Sequence, residues 1–171
     1  MKKSEIDVII NEMRCTEDRM PNKEFIITDE TIICKISELT NINLLDCMGR
    51  SLLMYAAIYR RVPVVDYLLQ NGAEVRIADN NLFTALHFAV QSNCAAVVNL
   101  LLAAGADANA QNCFGNSPIM VGDNLTPICI FEELMIHGAD PCIKNNYGMS
   151  AVDVYGGRQE IINIFNKKTT L

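Results

Sequence analysis

Tryptophan is absent from this chain of 171 residues, and aromatic residues make up only 6% of it, although 50% of the residues are hydrophobic. So little aromatic bulk argues against a core anchored on a few large side chains. It favours the many small aliphatic contacts that stacked helices make. Basic residues are scarce too: 14 Lys and Arg stand against 20 Asp and Glu, for a net charge of −6. Neutralising phosphates takes clustered Lys and Arg, so the balance argues against nucleic acid. It suits a basic protein partner, a toxin or a signalling protein, though modest negative charge also simply keeps a protein soluble.

Chemical groupings are equally thin. The chain has no glycine-rich phosphate loop, no G-x-S-x-G elbow and no H-E-x-x-H. With only His87 and His137 present, any nucleophile–base pair would need one of them. Cys129, His137 and Cys142 match no usual zinc spacing, and His137 just before Gly138 reads as a cation at a helix end. No enzyme, no metal and no cofactor are therefore expected. The seven cysteines form an odd set without C-x-x-C spacing, which reads as free thiols in a reducing cytosol. Acids interrupt the apolar stretch of MKKSEIDVIINEM, so neither a signal peptide nor a membrane span is expected, and the location expected is cytoplasmic.

What the chain does have is a period. Thr84-Ala85-Leu86-His87 leads into an apolar run from Val97 to Leu102 and then Gly105-Ala106-Asp107. One step of about 33 residues back stand Asp46, Ser51, Leu53, Ala56, Val65, Leu68 and Gly72-Ala73. One step forward stand Gly115, Ser117-Pro118-Ile119 and Gly138-Ala139-Asp140, and a second step reaches Gly148 and Ser150-Ala151-Val152. This pattern, a turn, a T-P-L-H-like start and a G-A-D ending, resembles the ankyrin repeat. The resemblance implies an all-α solenoid of helix-turn-helix units with β-turn fingers. The expected division is a degenerate N-terminal cap at 1–45, full repeats at 46–78, 79–111 and 112–144, and a truncated C-terminal repeat and tail at 145–171.

Within that frame, Ser4 and Thr28 are expected to cap two N-terminal helices around a turn at Pro21-Asn22, a segment that either only caps the stack or also touches a partner. Pro63 and Pro127 suit helix starts, and Gly72 a left-handed helix end. By resemblance, Thr84 and His87 hydrogen-bond between turn and helix. Leu82 stands where the family has glycine, so an altered turn is expected there. Met120-Val121-Gly122-Asp123-Asn124 is poor helix material, and the first helix of that repeat should be short. Either the stack relaxes there, or the face is adapted to a ligand. Gly156-Gly157 should break the last repeat before a short closing helix, with Lys167-Lys168 leading into a frayed tail.

Function is expected at the surface, because a solenoid exposes its turn tips and one helix face. The tip positions are Met48, Asn81, Phe114 and Tyr147, then Arg50, Phe83, Asn116 and Met149. Outward positions of the first helices include Tyr55, Tyr59, Phe88, Gln91 and Asn124, and Asp46, Asp79 and Asp123 could form an acidic rim. Aromatic and Met side chains at such positions read as interface anchors. The expected function is non-catalytic docking of one protein, in its most specific form an immunity-type inhibitor that blocks a toxin sterically. An adaptor, or a viral or parasite mimic that sequesters a host signalling protein, is the alternative, and a structural scaffold or accessory subunit a third. The chain is expected to be a monomer on its own, with no membrane contact.

Overall fold

A Ser or Thr opens each repeat's first helix, and a glycine closes the full-length second ones, so the helices come out short and evenly spaced. The computed structural model describes residues 5–14 and 28–167. The Ser4 cap, the Pro21-Asn22 turn and the Lys168 end of the tail lie outside the described residues. The helices are α1 (Glu5–Arg14), α2 (Asp29–Ser37), α3 (Leu52–Ile58), α4 (Val62–Gln70), α5 (Ala85–Gln91) and α6 (Ala95–Ala103). A 3₁₀ turn (Pro118–Met120) precedes α7 (Ile128–Ile136), α8 (Ala151–Val154) and α9 (Gln159–Lys167). Among the described residues there is no strand, only isolated bridges at Leu45–Ser51 and Ala78–Thr84.

The helices stack in two rows. One runs α1, α3, α5, the 3₁₀ turn and α8; the other runs α2, α4, α6, α7 and α9. Ala56, Ala57 and Ala89 are fully buried where α3 meets α5, and Leu68, Leu101 and Leu134 form the seam of the second row. Small side chains let the first row close up, while leucines fill the wider space behind it. Helix ends follow local chemistry. The Ser51 hydroxyl accepts Met54 N–H at 3.4 Å. Ser150 and Asp153 cap each other, the Asp153 carboxylate accepting Ser150 N–H at 2.8 Å. The second helices close when Ala73, Ala106 and Ala139 donate back to Leu68, Leu101 and Leu134. At the front, Arg61 donates to Met13 O at 3.2 Å and pairs with Asp29 at 3.1 Å, tying α1 and α2 to the first repeat.

The break in the third repeat has a packing cause. Steps of 33 place Ala56, Ala89, Gly122 and Tyr155 in equivalent positions, and Tyr155 brings a ring where the others have little or nothing. Its hydroxyl donates to Gly122 O at 2.9 Å, and a Cβ on Gly122 would stand 3.0 Å from that hydroxyl. The helix therefore stops after the 3₁₀ turn. The loop that follows is pinned by Asp123 N–H on Thr126 Oγ1 at 2.8 Å, Thr126 Oγ1 on Asn93 at 2.6 Å and Arg158 on Asp123 O at 3.3 Å.

Leu82 corrects an expectation. The turn is unaltered: Leu82 takes φ 61, beside φ 75 for Gly49 and Gly115 in the same place. Asp79 clamps the loop on either side, so the leucine carries the strain. The neighbouring finger makes room for it. A Cβ at Gly49 or Gly115 would meet the side chain of Asn80 or Asn146 at 2.6 Å, whereas Cys113 holds the corresponding place opposite Leu82. Left-handed backbone costs an L-residue about 1–2 kcal/mol, offset in part by glycine's greater chain entropy. Leu82→Gly is thus expected to stabilise the chain by about 0.5–1 kcal/mol, a rise of about 1–4 °C in Tm. Gly115→Ala should lower Tm; thermal melts of the two variants check both signs.

Candidate protein-binding surface

Four side chains spaced 33 apart build four identical fingers. The Asp46 carboxylate accepts Met48 and Arg50 N–H, both at 2.8 Å, and Asp79 accepts Asn81 and Phe83 N–H, both at 2.9 Å. Asn112 does the same for Phe114 and Asn116, and Asn145 for Tyr147 and Met149. Each finger's legs close on themselves, as in Asp79 N–H to Phe83 O at 2.9 Å. The fingers then bond to one another: Asn80 N–H to Met48 O at 2.9 Å, Cys113 N–H to Asn81 O at 2.9 Å and Asn146 N–H to Phe114 O at 3.0 Å. Asn80 and Asn146 add side-chain bonds to Cys47 O and Cys113 O. With both legs and neighbours fixed, the tips form a preorganised rank.

His87 locks the second finger to the third. Its Nδ1 accepts Thr84 N–H at 3.1 Å and lies 2.9 Å from the Thr84 hydroxyl, and its Nε2 donates to Asn116 O at 3.0 Å. The ring is fully buried, and burial lowers its pKa below the usual 6.5. The unfolded chain therefore takes up the proton first as pH falls. Stability is complete above about pH 6.5 and declines below it, by at most about 1.4 kcal/mol per pH unit. Urea melts between pH 7 and 5 should show this slope, and a His87→Gln variant should lose it.

The sequence-derived surface residues divide. Met48 is 43% exposed, Phe114 46% and Tyr147 74%, and Asn81, Gln91, Asn124 and Met149 are exposed as well. Tyr55 and Tyr59 are half-buried and stacked with ring centres 6.3 Å apart. The Tyr55 hydroxyl donates to Asp46 at 2.6 Å; burial first, then that carboxylate, push its pKa up to about 12. Asp123 is exposed, and the Leu125 N–H, then the Asn93 side chain, hold its carboxyl below the usual range. Asn116 is half-buried and accepts from Asn145 at 2.7 Å.

Two expectations about exposure are overturned. Phe88 is 8% exposed, because Phe83 stacks on it at 5.4 Å and the Arg50 guanidinium lies 5.0 Å above its ring. Asp79 is 4% exposed, paired with Arg50 at 3.2 Å, so it forms no part of a rim. The tips carry one residue that pattern reading passed over: Leu82, 53% exposed. Its signal was present, since a leucine in a turn that calls for glycine gains nothing from the turn. Leu125 and Ile136 are further exposed aliphatics, and Ile136 borders a shallow groove between α7 and α9. Among the described residues no group of three His, Cys, Asp or Glu could hold a metal ion, and no helix is long and apolar enough to cross a membrane.

Comparison with known proteins agrees with this geometry. A family model described as ankyrin repeats, in three copies, matches residues 26–112, half of the chain. BCL-6 corepressor-like protein 1 of Homo sapiens is 36% identical over 108 residues, covering 61% of this chain and 6% of that protein. Neurogenic locus notch homolog protein 1 of Xenopus tropicalis is 32% identical over 111 residues, covering 64% and 4%. A putative ankyrin repeat-containing protein of Treponema pallidum (strain Nichols) is 30% identical over 107 residues, covering 62% and 36%. The chain thus spans little more than a third, at most, of the length of these relatives. Two rows of short helices, a ladder of four Asx-clamped fingers and this match lead to one conclusion: the chain belongs to the ankyrin-repeat family.

Proposed function

We propose that this chain is a non-catalytic binding module that docks one protein partner on its turn tips and concave helix face. The observation that carries the reading is the rank of rigid tips, each bearing an exposed apolar side chain. Met48, Asn81, Leu82, Phe114, Tyr147 and Met149 make the first contact in this reading, and Tyr55, Tyr59, Gln91, Asp123 and Asn124 extend it over the helix face. Phe83, Phe88, Arg50 and Asn116 support the tips from beneath. The action is steric: a preformed surface covers part of the partner at little ordering cost.

In its most specific form the reading is a cytoplasmic, monomeric inhibitor of the immunity type, which neutralises a toxin by blocking it. The acidic balance supports a basic partner, since complementary charge speeds encounter. The alternative is an adaptor, or a mimic that sequesters a signalling protein. It is favoured by the likeness to short segments of much larger proteins, a corepressor-like protein and a Notch homologue. Capture on the tagged chain from its native cell, with low-salt then moderate-salt washes and mass spectrometry, separates the two. One stoichiometric basic enzyme whose activity falls on binding supports the inhibitor. Several substoichiometric partners from one complex support the adaptor and sink the inhibitor.

A further inference from the structure

Away from the tips, α7 has an outward face unlike those of its neighbours in the second row. Ile136 is 73% exposed, at a position that Ala103 and Gln70 hold one and two repeats earlier. Glu133 does the reverse, since Leu100 and Tyr67 fill its place in α6 and α4. A lone exposed aliphatic is ordinary, but Ile136 borders a groove of about 500 Å³ between α7 and α9. Cys129, Met135 and Ile164 join Ile136 as its apolar lining, while Glu132 and Glu133 on α7 and Lys167 on α9 supply its charge. Glu132 forms no ion pair among the described residues, and Glu133 Oε2 lies 3.8 Å from the His137 ring.

The order along α7 is apolar, acidic, apolar: Cys129, then Glu132 and Glu133 three and four residues on, then Ile136 seven on. Residues so spaced share one face of a helix and lie in line over two turns, about 10.5 Å. Both walls of the groove are helices, whose backbone groups bond within themselves. A strand laid there would leave its own N–H and C=O groups without partners, whereas a helix satisfies them internally. A helix also repeats the rise of α7, so apolar residues seven apart meet Cys129 and Ile136 while basic residues midway meet the two carboxylates. Arginine suits that centre best, because its fork binds a carboxylate at two points. Lys167 ends α9 as Ile136 ends α7, so a basic residue beyond the second apolar one would be repelled.

We propose that the groove between α7 and α9 receives an amphipathic helix of a second protein partner, apolar at residues seven apart and basic midway between them. The groove belongs to the second row of helices, the tips and the proposed concave face to the fingers and first row. The two footprints share no residue. This second site goes beyond the tip-docking reading and does not rest on it.

The test is a titration of the ¹⁵N-labelled full chain, at low salt, with an acetylated, amidated alanine-based helix. The peptide carries two leucines seven residues apart and two arginines midway. The same peptide with glutamates for the arginines, and an isomer with the arginines on the opposite helix face, serve as comparisons. The proposal expects saturable shifts at the amides of Cys129, Glu132, Glu133, Ile136 and Ile164 with the first peptide, fading as salt rises. Binding should weaken by about tenfold or more with either comparison peptide, and likewise for an Ile136→Ser chain or a Glu132→Gln, Glu133→Gln chain. Both variant chains should melt with the parent, since the changed side chains lie outside the core. Equal binding of the three peptides, preference for the acidic one, or no groove shifts with any of them overturns the proposal. Groove shifts that follow the chain's own concentration assign the groove to a second copy and overturn it as well. Shifts confined to the tip amides sink the groove and leave the tip reading standing.

Discussion

Phe131→Ala is expected to destabilise the C-terminal end of the stack by about 3–5 kcal/mol, with a fall in Tm of about 10 °C. Phe131 is fully buried, with the Tyr155 ring 5.0 Å and the Phe165 ring 6.4 Å away, and the Arg158 guanidinium 5.9 Å above it. Phe131 stands where earlier repeats have Val65 and Val98, and Tyr155 where they have Ala56 and Ala89, so one truncation loosens α7, α8, α9 and the loop that Tyr155 holds. In a solenoid each unit contacts only its neighbours, and the loss should therefore be uneven. Hydrogen exchange should quicken in α7–α9 well before α3–α6, and the melt should broaden or split. An unchanged melt would remove Phe131 from the core and with it the packing account of the broken third repeat.

The Phe114→Ser, Tyr147→Ser pair should act in the opposite way. Both side chains are exposed, and their fingers are held by backbone and Asn112 or Asn145, not by the rings. The fold should be indifferent to the exchange, with Tm within a few degrees of the parent chain. Partner affinity should fall by roughly 10³-fold if each anchor is worth about 2 kcal/mol. Isothermal titration with a captured partner reads the effect. Phe88 has no place in such a variant: truncating it would hollow the space beneath Arg50 and confuse lost folding with lost binding.

The period made the fold legible, because each unit repeats the same local chemistry: a hydroxyl start, an apolar seam and a left-handed end. The bond between turn and helix implied for Thr84 and His87 is present, and Pro63 sits in the first turn of α4. Legibility fails where a side chain's surroundings come from another repeat. Phe88 reads as outward from its own helix, yet Phe83 and, from one repeat earlier, Arg50 cover it. Gly122 reads as a helix breaker, yet the reason for it is Tyr155 in the next repeat. Leu82 reads as a flaw in a turn; in three dimensions it completes a row of apolar tips whose other members lie in different fingers. Position within a repeat says which face a residue is on, but not what the neighbouring repeat lays over it.

The central claim, that the tips are what the partner touches, is tested most directly by hydroxyl-radical footprinting of the chain, free and bound to a captured partner. Met, Phe, Tyr and Leu side chains report their own exposure, and the tips carry all four. The account predicts strong protection of Met48, Leu82, Phe114, Tyr147 and Met149 on binding, with Ile136 on the far side of α7 unchanged. Protection of Ile136 or of the outer faces of α4 and α6, with the tips as reactive as before, would contradict it.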